Sequence, residues 1–131
     1  MVFVRGAIET RTMVGITEAF AHEWASAQSA RRAGDVARAV HHLERAHILG
    51  QRRTVLHVRS HVGMLALAWQ RRDAREIMGQ TTRILAAALF SRIWVPEGNT
   101  GGANVSATLP MPIPEDLRVV LEADRGATTH R

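Results

Sequence analysis

Three histidines, His47, His57 and His61, stand on apolar helix faces in the stretch HLERAHILGQRRTVLHVRSH. Imidazole is the commonest metal ligand in proteins and titrates near neutral pH. Burying several imidazoles costs desolvation unless something holds them. His57 and His61 are four residues apart, so they share one helix face and can reach one ion. His47 continues the stripe Val36, Val40, Leu43 of the preceding helix. The other histidines sort away from this face. His41 and His42 point off that stripe toward solvent, His22 points off the stripe of the first helix, and His130 lies in the C-terminal tail.

The carboxylates sort in the same way. Glu23 falls between Phe20 and Trp24 on the apolar stripe of the first helix, and Glu44 flanks the stripe of the second. Glu44-x-x-His47 has the Glu-x-x-His spacing of carboxylate di-iron bundles, but those use the motif twice and this chain has no second copy. At a rise of about 1.5 Å per residue, counting from the turns puts Glu23, Glu44, His47, His57 and His61 in one half of a bundle. The same count sends Glu76 to the opposite end, roughly 12 Å away, where it reads as part of a helix cap. The expected ligands are therefore His47, His57 and His61, with Glu23 or Glu44 completing the shell. The fourth helix runs back toward them, so EGNTGG emerges near the histidines. Asn99, Thr100 and Gly101 of that loop could cover the site, and Gln51, Gln80 and Asn99 could orient the ligands from behind. Such donors suit zinc, iron, manganese or nickel, and the lack of sulfur argues against soft Cu(I). With a coordination position open, metal-activated water could act on a small-molecule substrate, and Glu44 would then be a candidate base. The alternative for the same cluster is a structural network of His–Glu hydrogen bonds.

Composition bounds what else the chain can be. At 131 residues and 46% hydrophobic content it is long enough for one domain with its own core. No cysteine is present, which removes disulfides and thiolate sites. No apolar run approaches the length of a membrane span, and MVFVRGAIETRTMV lacks the apolar core of a secretory signal, so a cytoplasmic protein is expected. The net charge is +5 and every one of the 17 basic residues is arginine. Arginine suits phosphate, but the pairs Arg31-Arg32, Arg52-Arg53 and Arg71-Arg72 fall near helix ends rather than in one block. They read as solvated caps that offset helix dipoles, so nucleic acid is disfavoured. Asn104-Val105-Ser106 matches a glycosylation pattern without a secretory signal, and NTGG lacks the strand and GK[ST] of a phosphate loop.

Four helices must position the histidines. Their expected spans run from about Thr17 to Ala33, Val36 to Leu49, Thr54 to Arg71, and from the Asp73 cap to about Ile93. The stripes are Ile16, Phe20, Trp24, Ala27, Ala30 on the first; Val36, Val40, Leu43, His47 on the second; His57, His61, Met64, Leu65, Ala68 on the third; and Ile77, Thr81, Ile84, Leu85, Ala88 on the fourth. Asp35 caps the second helix, and Asp73 with Glu76 makes a variant of the capping box. Ala27, Ala30, Asp35, Ala39 and Ala46 align with Leu65, Ala68, Asp73, Ile77 and Ile84 at a constant offset of 38. Each hairpin thus resembles a tetratricopeptide unit, but two units fall short of a solenoid, so a closed four-helix arrangement is expected. WVPEGNTGGANVSATLPMPIP reads as a loop, and EDLRVVLEA behind Pro114 as a short terminal helix. The fold class is all-α: two helical hairpins, a C-terminal loop and a short helix. Residues 1–15 read as a loose lead-in, 16–125 as the domain and 126–131 as a frayed tail.

HLERAHILGQ, followed by HVRSH, GNTGG and PIPEDL, resembles a small bacterial family catalogued as a domain of unknown function, numbered 3703. The resemblance covers roughly Ile16 to Leu117. The matching residues are His42, Glu44, Arg45, His47, Gly50, Gln51, His57, His61, Asn99, Thr100 and Gly101. It implies an all-helical domain and marks the same histidine-rich region, with no activity to carry over.

Two functions follow from the residues. The leading one is divalent transition-metal binding, with a small-molecule substrate if the site is catalytic. The other is a tetratricopeptide-like module whose Arg-lined grooves take an acidic peptide, independent of metal. Apolar residues in the N-terminal tail and the C-terminal loop could serve a homodimer.

Overall fold

A computed structural model describes residues 15–91 and 93–129. Five helices follow one another: α1 (Ile16–Arg32), α2 (Val36–Gly50), α3 (Thr54–Arg71), α4 (Ala74–Phe90) and α5 (Glu115–Thr129). The expected lead-in and its apolar residues, up to residue 14, lie outside the described part. Gly15 is the N-cap of α1.

Local chemistry explains where the helices start and stop. Asp35 accepts a hydrogen bond from the Arg38 amide at 3.1 Å, and Asp73 accepts one from the Glu76 amide at 3.0 Å. The reciprocal half of the expected capping box does not form, because the Glu76 carboxylate turns to Gln80 and to the Ala103 amide instead. Between α1 and α2, Gly34 takes a left-handed φ of 76°, which ends the first helix cheaply. Between α3 and α4, Arg72 takes the same role with φ 56°. α5 runs on to Thr129, well past the expected short segment, so residues 126–129 of the expected frayed tail are helical.

Packing is sequential. α1 lies on α2, α2 on α3 and α3 on α4, with a light α1–α3 contact, and α5 rests on α1 and α2. Among the described helices α4 packs against α3 alone, so the expected closed bundle is an open row of two hairpins. The main core lies between α1, α2 and α3, where Ala27, Ala30, Ala39, Leu43, Met64 and Leu67 meet, with Trp24 and Val40 against them. Small residues let the helices approach: a Cβ on Gly63 would stand 2.7 Å from Leu43. A second cluster of Ile48, Leu49 and Leu117 seats α5.

The face of α4 differs from its expected stripe. It buries Gln80 and Ala87, while Leu85, Leu89 and Met78 are 63–73% exposed. What packs on the inner face of α4 is the long loop between α4 and α5. Gln80 donates to the Gly101 carbonyl, Arg83 to the Val105 carbonyl, and Glu76 accepts from the Ala103 amide. The inward residues are polar because they bond to loop backbone, which has no ladder of its own to satisfy it.

Candidate metal centre

α2 delivers His47, and α3 delivers His57 and His61 one turn apart. All three are buried, with exposures of 2%, 7% and 3%. Their Nε2 atoms form a triangle with sides of 3.0 Å (His47–His57), 3.1 Å (His47–His61) and 3.2 Å (His57–His61).

The other nitrogen of each ring decides what those Nε2 atoms are. His47 Nδ1 lies 2.8 Å from the Asn99 carbonyl oxygen. A carbonyl only accepts, so Nδ1 carries the proton. His61 Nδ1 lies 2.6 Å from Gln80 Oε1, and the Gln80 amide is oriented by donating to the Gly101 carbonyl at 2.9 Å and to Glu76 Oε1 at 2.6 Å. His61 Nδ1 is therefore a donor too. His57 Nδ1 lies 2.8 Å from Ser91 Oγ, whose own proton goes to the Ala87 carbonyl. All three neutral rings thus hold their proton on Nδ1 and aim an Nε2 lone pair at the same point. No donor stands among the three, so their mutual contacts cannot be ordinary hydrogen bonds.

Electrostatics keeps the rings neutral. Burial, then the neighbouring imidazoles, pushes His47 well below the usual histidine range, while the Asn99 carbonyl opposes. Burial, then His61, lowers His57 to about 4. Burial lowers His61 to about 4, against the opposing bond to Gln80. Protons are thereby excluded from the point where the lone pairs meet. Three converging, unprotonated imidazole nitrogens with backing hydrogen bonds could hold one metal ion. An ion about 2.1 Å from each nitrogen would subtend N–metal–N angles of about 95° across these separations, which leaves further positions open.

The remaining expected site residues are placed as follows. Gly101 lies flat against His47: a Cβ there would stand 2.7 Å from the ring, and its φ is 82°. Asn99 holds the loop together, its amide nitrogen donating to the Ser106 and Leu109 carbonyls at 2.7 Å each and its Oδ1 accepting from the Gly101 amide at 2.9 Å. Gln51 braces the same loop through the Pro96 carbonyl and the Gly98 amide. Thr100 sits half-buried between Asn99 and Gly101.

The two carboxylates are not brought to the histidines. Glu23 is buried, but His42 Nδ1 at 2.7 Å and Arg45 Nε at 2.9 Å occupy its two oxygens. Arg45 goes on to Asp116, which ties α1 and α2 to α5. His42, expected in solvent, is half-buried in this network. Glu44 lines a separate cavity of about 260 Å³ with Glu76, Asp73 and Arg71. Burial, and then the Glu76 charge, raises its pKa. Glu76 is not remote either: through Gln80 it stands two hydrogen bonds from His61. The rise-per-residue count gives axial height and leaves out side-chain reach, and the Gln80 side chain spans the remaining gap. Ser91 escaped the sequence altogether. Its only signal was its place just beyond the last turn of α4, beside the loop that caps the site.

The histidines open into a cavity of about 220 Å³ walled by Arg83, Ala86, Ala87, Phe90, Trp94 and Val95 together with the loop. The family model described as a protein of unknown function (DUF3703) matches residues 14–121. The chain belongs to that family. The match takes in α1 through α4, the loop and the first half of α5, and so every residue of the triad and its supports. No curated protein and no solved structure matches the chain. No helix of the described residues is long and apolar enough to cross a membrane.

Proposed function

We propose that this protein binds one divalent transition-metal ion through Nε2 of His47, His57 and His61. The observation that carries the reading is the triangle itself: three lone pairs meet within 3.2 Å, each ring locked by its Nδ1 proton, with no donor between them. A purely structural histidine network needs at least one donor in that triangle. A cation supplies what the geometry lacks. Imidazole nitrogens without sulfur or carboxylate suit zinc, nickel or iron better than manganese, which prefers oxygen donors. Positions beyond the three histidines face the cavity, where a metal-bound water would be open to a small molecule.

Elemental analysis after loading with zinc and gel filtration tests this. About one zinc per chain is expected, falling to background in the double variant His57→Ala/His61→Ala. Metal-free protein after loading, or unchanged zinc in the double variant, would overturn the reading.

A further inference from the structure

Resting on that metal reading, we propose that the cavity in front of the triad binds a small organic carboxylate, its oxygens shared between the metal and Arg83 and its apolar part against Phe90, Trp94 and Val95. Three neutral imidazoles bring no charge to compensate a divalent ion. The carboxylates expected to do so are elsewhere, Glu23 on His42 and Arg45, and Glu44 in the other cavity. Glu76 is spent on Gln80 and the Ala103 amide. Its charge favours a proton on His61 and is opposed there by Arg83, which adds a positive charge to the cavity wall. That charge reaches the triad, where it disfavours protonation of His47 and His61. A buried dication left in such a place demands an anion.

Arg83 is itself incomplete. Its Nη2 donates to the Val105 carbonyl at 2.8 Å, its buried Nε donates to no atom, and no carboxylate pairs with it among the described residues. A guanidinium is the side chain best shaped to share a planar carboxylate. The walls then restrict which anion fits. Gln51, Ser91 and Asn99 line the cavity too, but their polar atoms are committed to the loop and to the histidines. The Thr108 hydroxyl lies 3.3 Å from Ser106 Oγ, which leaves Arg83 to meet a ligand. Such a wall serves one carboxylate and leaves a tetrahedral phosphate short of donors. The volume equals about seven waters at roughly 30 Å³ each, the size of a benzoate and smaller than a nucleotide. Phe90 and Trp94, both 55% exposed, stand at its mouth.

Cobalt(II) serves as both the metal and the reporter, because its visible absorption responds to a change of ligand. Protein loaded with one cobalt is titrated with benzoate, with benzamide and with inorganic phosphate. Benzoate is expected to shift the absorption along a saturating one-to-one isotherm, and benzamide and phosphate are not. Arg83→Gln should retain one cobalt per chain and weaken benzoate at least tenfold. Cobalt bound with no response to benzoate, an equal response to phosphate, or an undiminished response in Arg83→Gln would each overturn the carboxylate site and leave the metal reading standing. If cobalt does not bind the wild-type chain, it is the metal reading that fails, and this proposal with it.

Discussion

At the scale of single residues, the histidines were legible because their signals are local. A pair four apart on one helix must share a face, and His47 sits in register with the apolar stripe of α2. Helix angle says which side of a helix a residue occupies. It does not say which neighbour waits there. Glu23 points inward as its angle requires, yet what it meets is Arg45 and His42. The supports of the triad are legible only in part for the same reason. Gln80 stood out as a polar residue able to orient a ligand, while the partner of His47 is the backbone carbonyl of Asn99, which carries no sequence signal. Gln80 is the most exacting of these supports, since it serves His61, Glu76 and Gly101 at once. Replacing Gln80 with Leu leaves the His61 Nδ1 proton and the Gly101 carbonyl buried without partners, at a cost of about 1–3 kcal/mol. It also frees the His61 ring to rotate. Zinc affinity should fall about 10–100-fold in competition with a chelator of known strength, while the helical circular dichroism stays unchanged. Wild-type affinity in Gln80→Leu would mean that His61 needs no orienting partner.

At the scale of elements, the boundaries of α1 to α3 followed from caps and periodicity, but the inward face of α4 did not. Its apolar residues Leu85 and Leu89 lie outside and its polar Gln80 inside. Hydrophobic patterning assumes that an inner face meets apolar neighbours. The inner face of α4 meets a loop whose backbone needs hydrogen bonds. That loop, running from Ser91 to Pro114, is long for a connection without secondary structure. Gly101 is where it touches the site. A methyl group at Gly101 would need a left-handed backbone and would stand 2.7–2.8 Å from three atoms of the His47 ring. Gly101→Ala should therefore destabilise the fold by about 1–3 kcal/mol, as strained positions do. It should also push His47 out of the triangle. Zinc per chain and urea midpoint should fall together in this variant. Gly34→Ala is the control: it carries the same backbone strain, φ 76°, with open space around it. It should lower the midpoint and leave zinc at one per chain. Full zinc in Gly101→Ala would show that the loop covers the site without shaping it.

At the scale of the whole molecule, the sequence pointed to two hairpins and all-helical packing, but not to their openness. Closure depends on which helix faces meet, and an amphipathic pattern is the same in a ring as in a row. In the open row, the triad is the place where α3 meets α4, through Gln80, and where α3 and α2 meet the segment beyond α4, through Ser91 and Asn99. Metal bound there would act on the global stability. Because the site exists only in the folded chain, free zinc at about 100 times its dissociation constant should add about 2.7 kcal/mol. That corresponds to a rise of roughly 10 °C in Tm for a chain of this size. Acid tests the same residues without metal. Burial lowers His57 and His61 to about 4 in the folded chain and holds His47 well below 6.5, the ordinary value of all three. Above pH 6.5 neither state is protonated at these rings and nothing is lost. Between pH 6.5 and 4 the unfolded chain takes up protons that the folded chain refuses, so stability falls as the pH falls. Below 4, His57 and His61 charge in the folded state as well, and their contribution to the slope ends. Metal-free wild type should lose Tm steadily from pH 6.5 to 5. The His57→Ala/His61→Ala variant should show a shallower slope over that range and no gain of Tm from zinc at pH 7.5. A slope as steep in the double variant as in wild type would place the acid-sensitive groups elsewhere and remove the triad as the source of both effects.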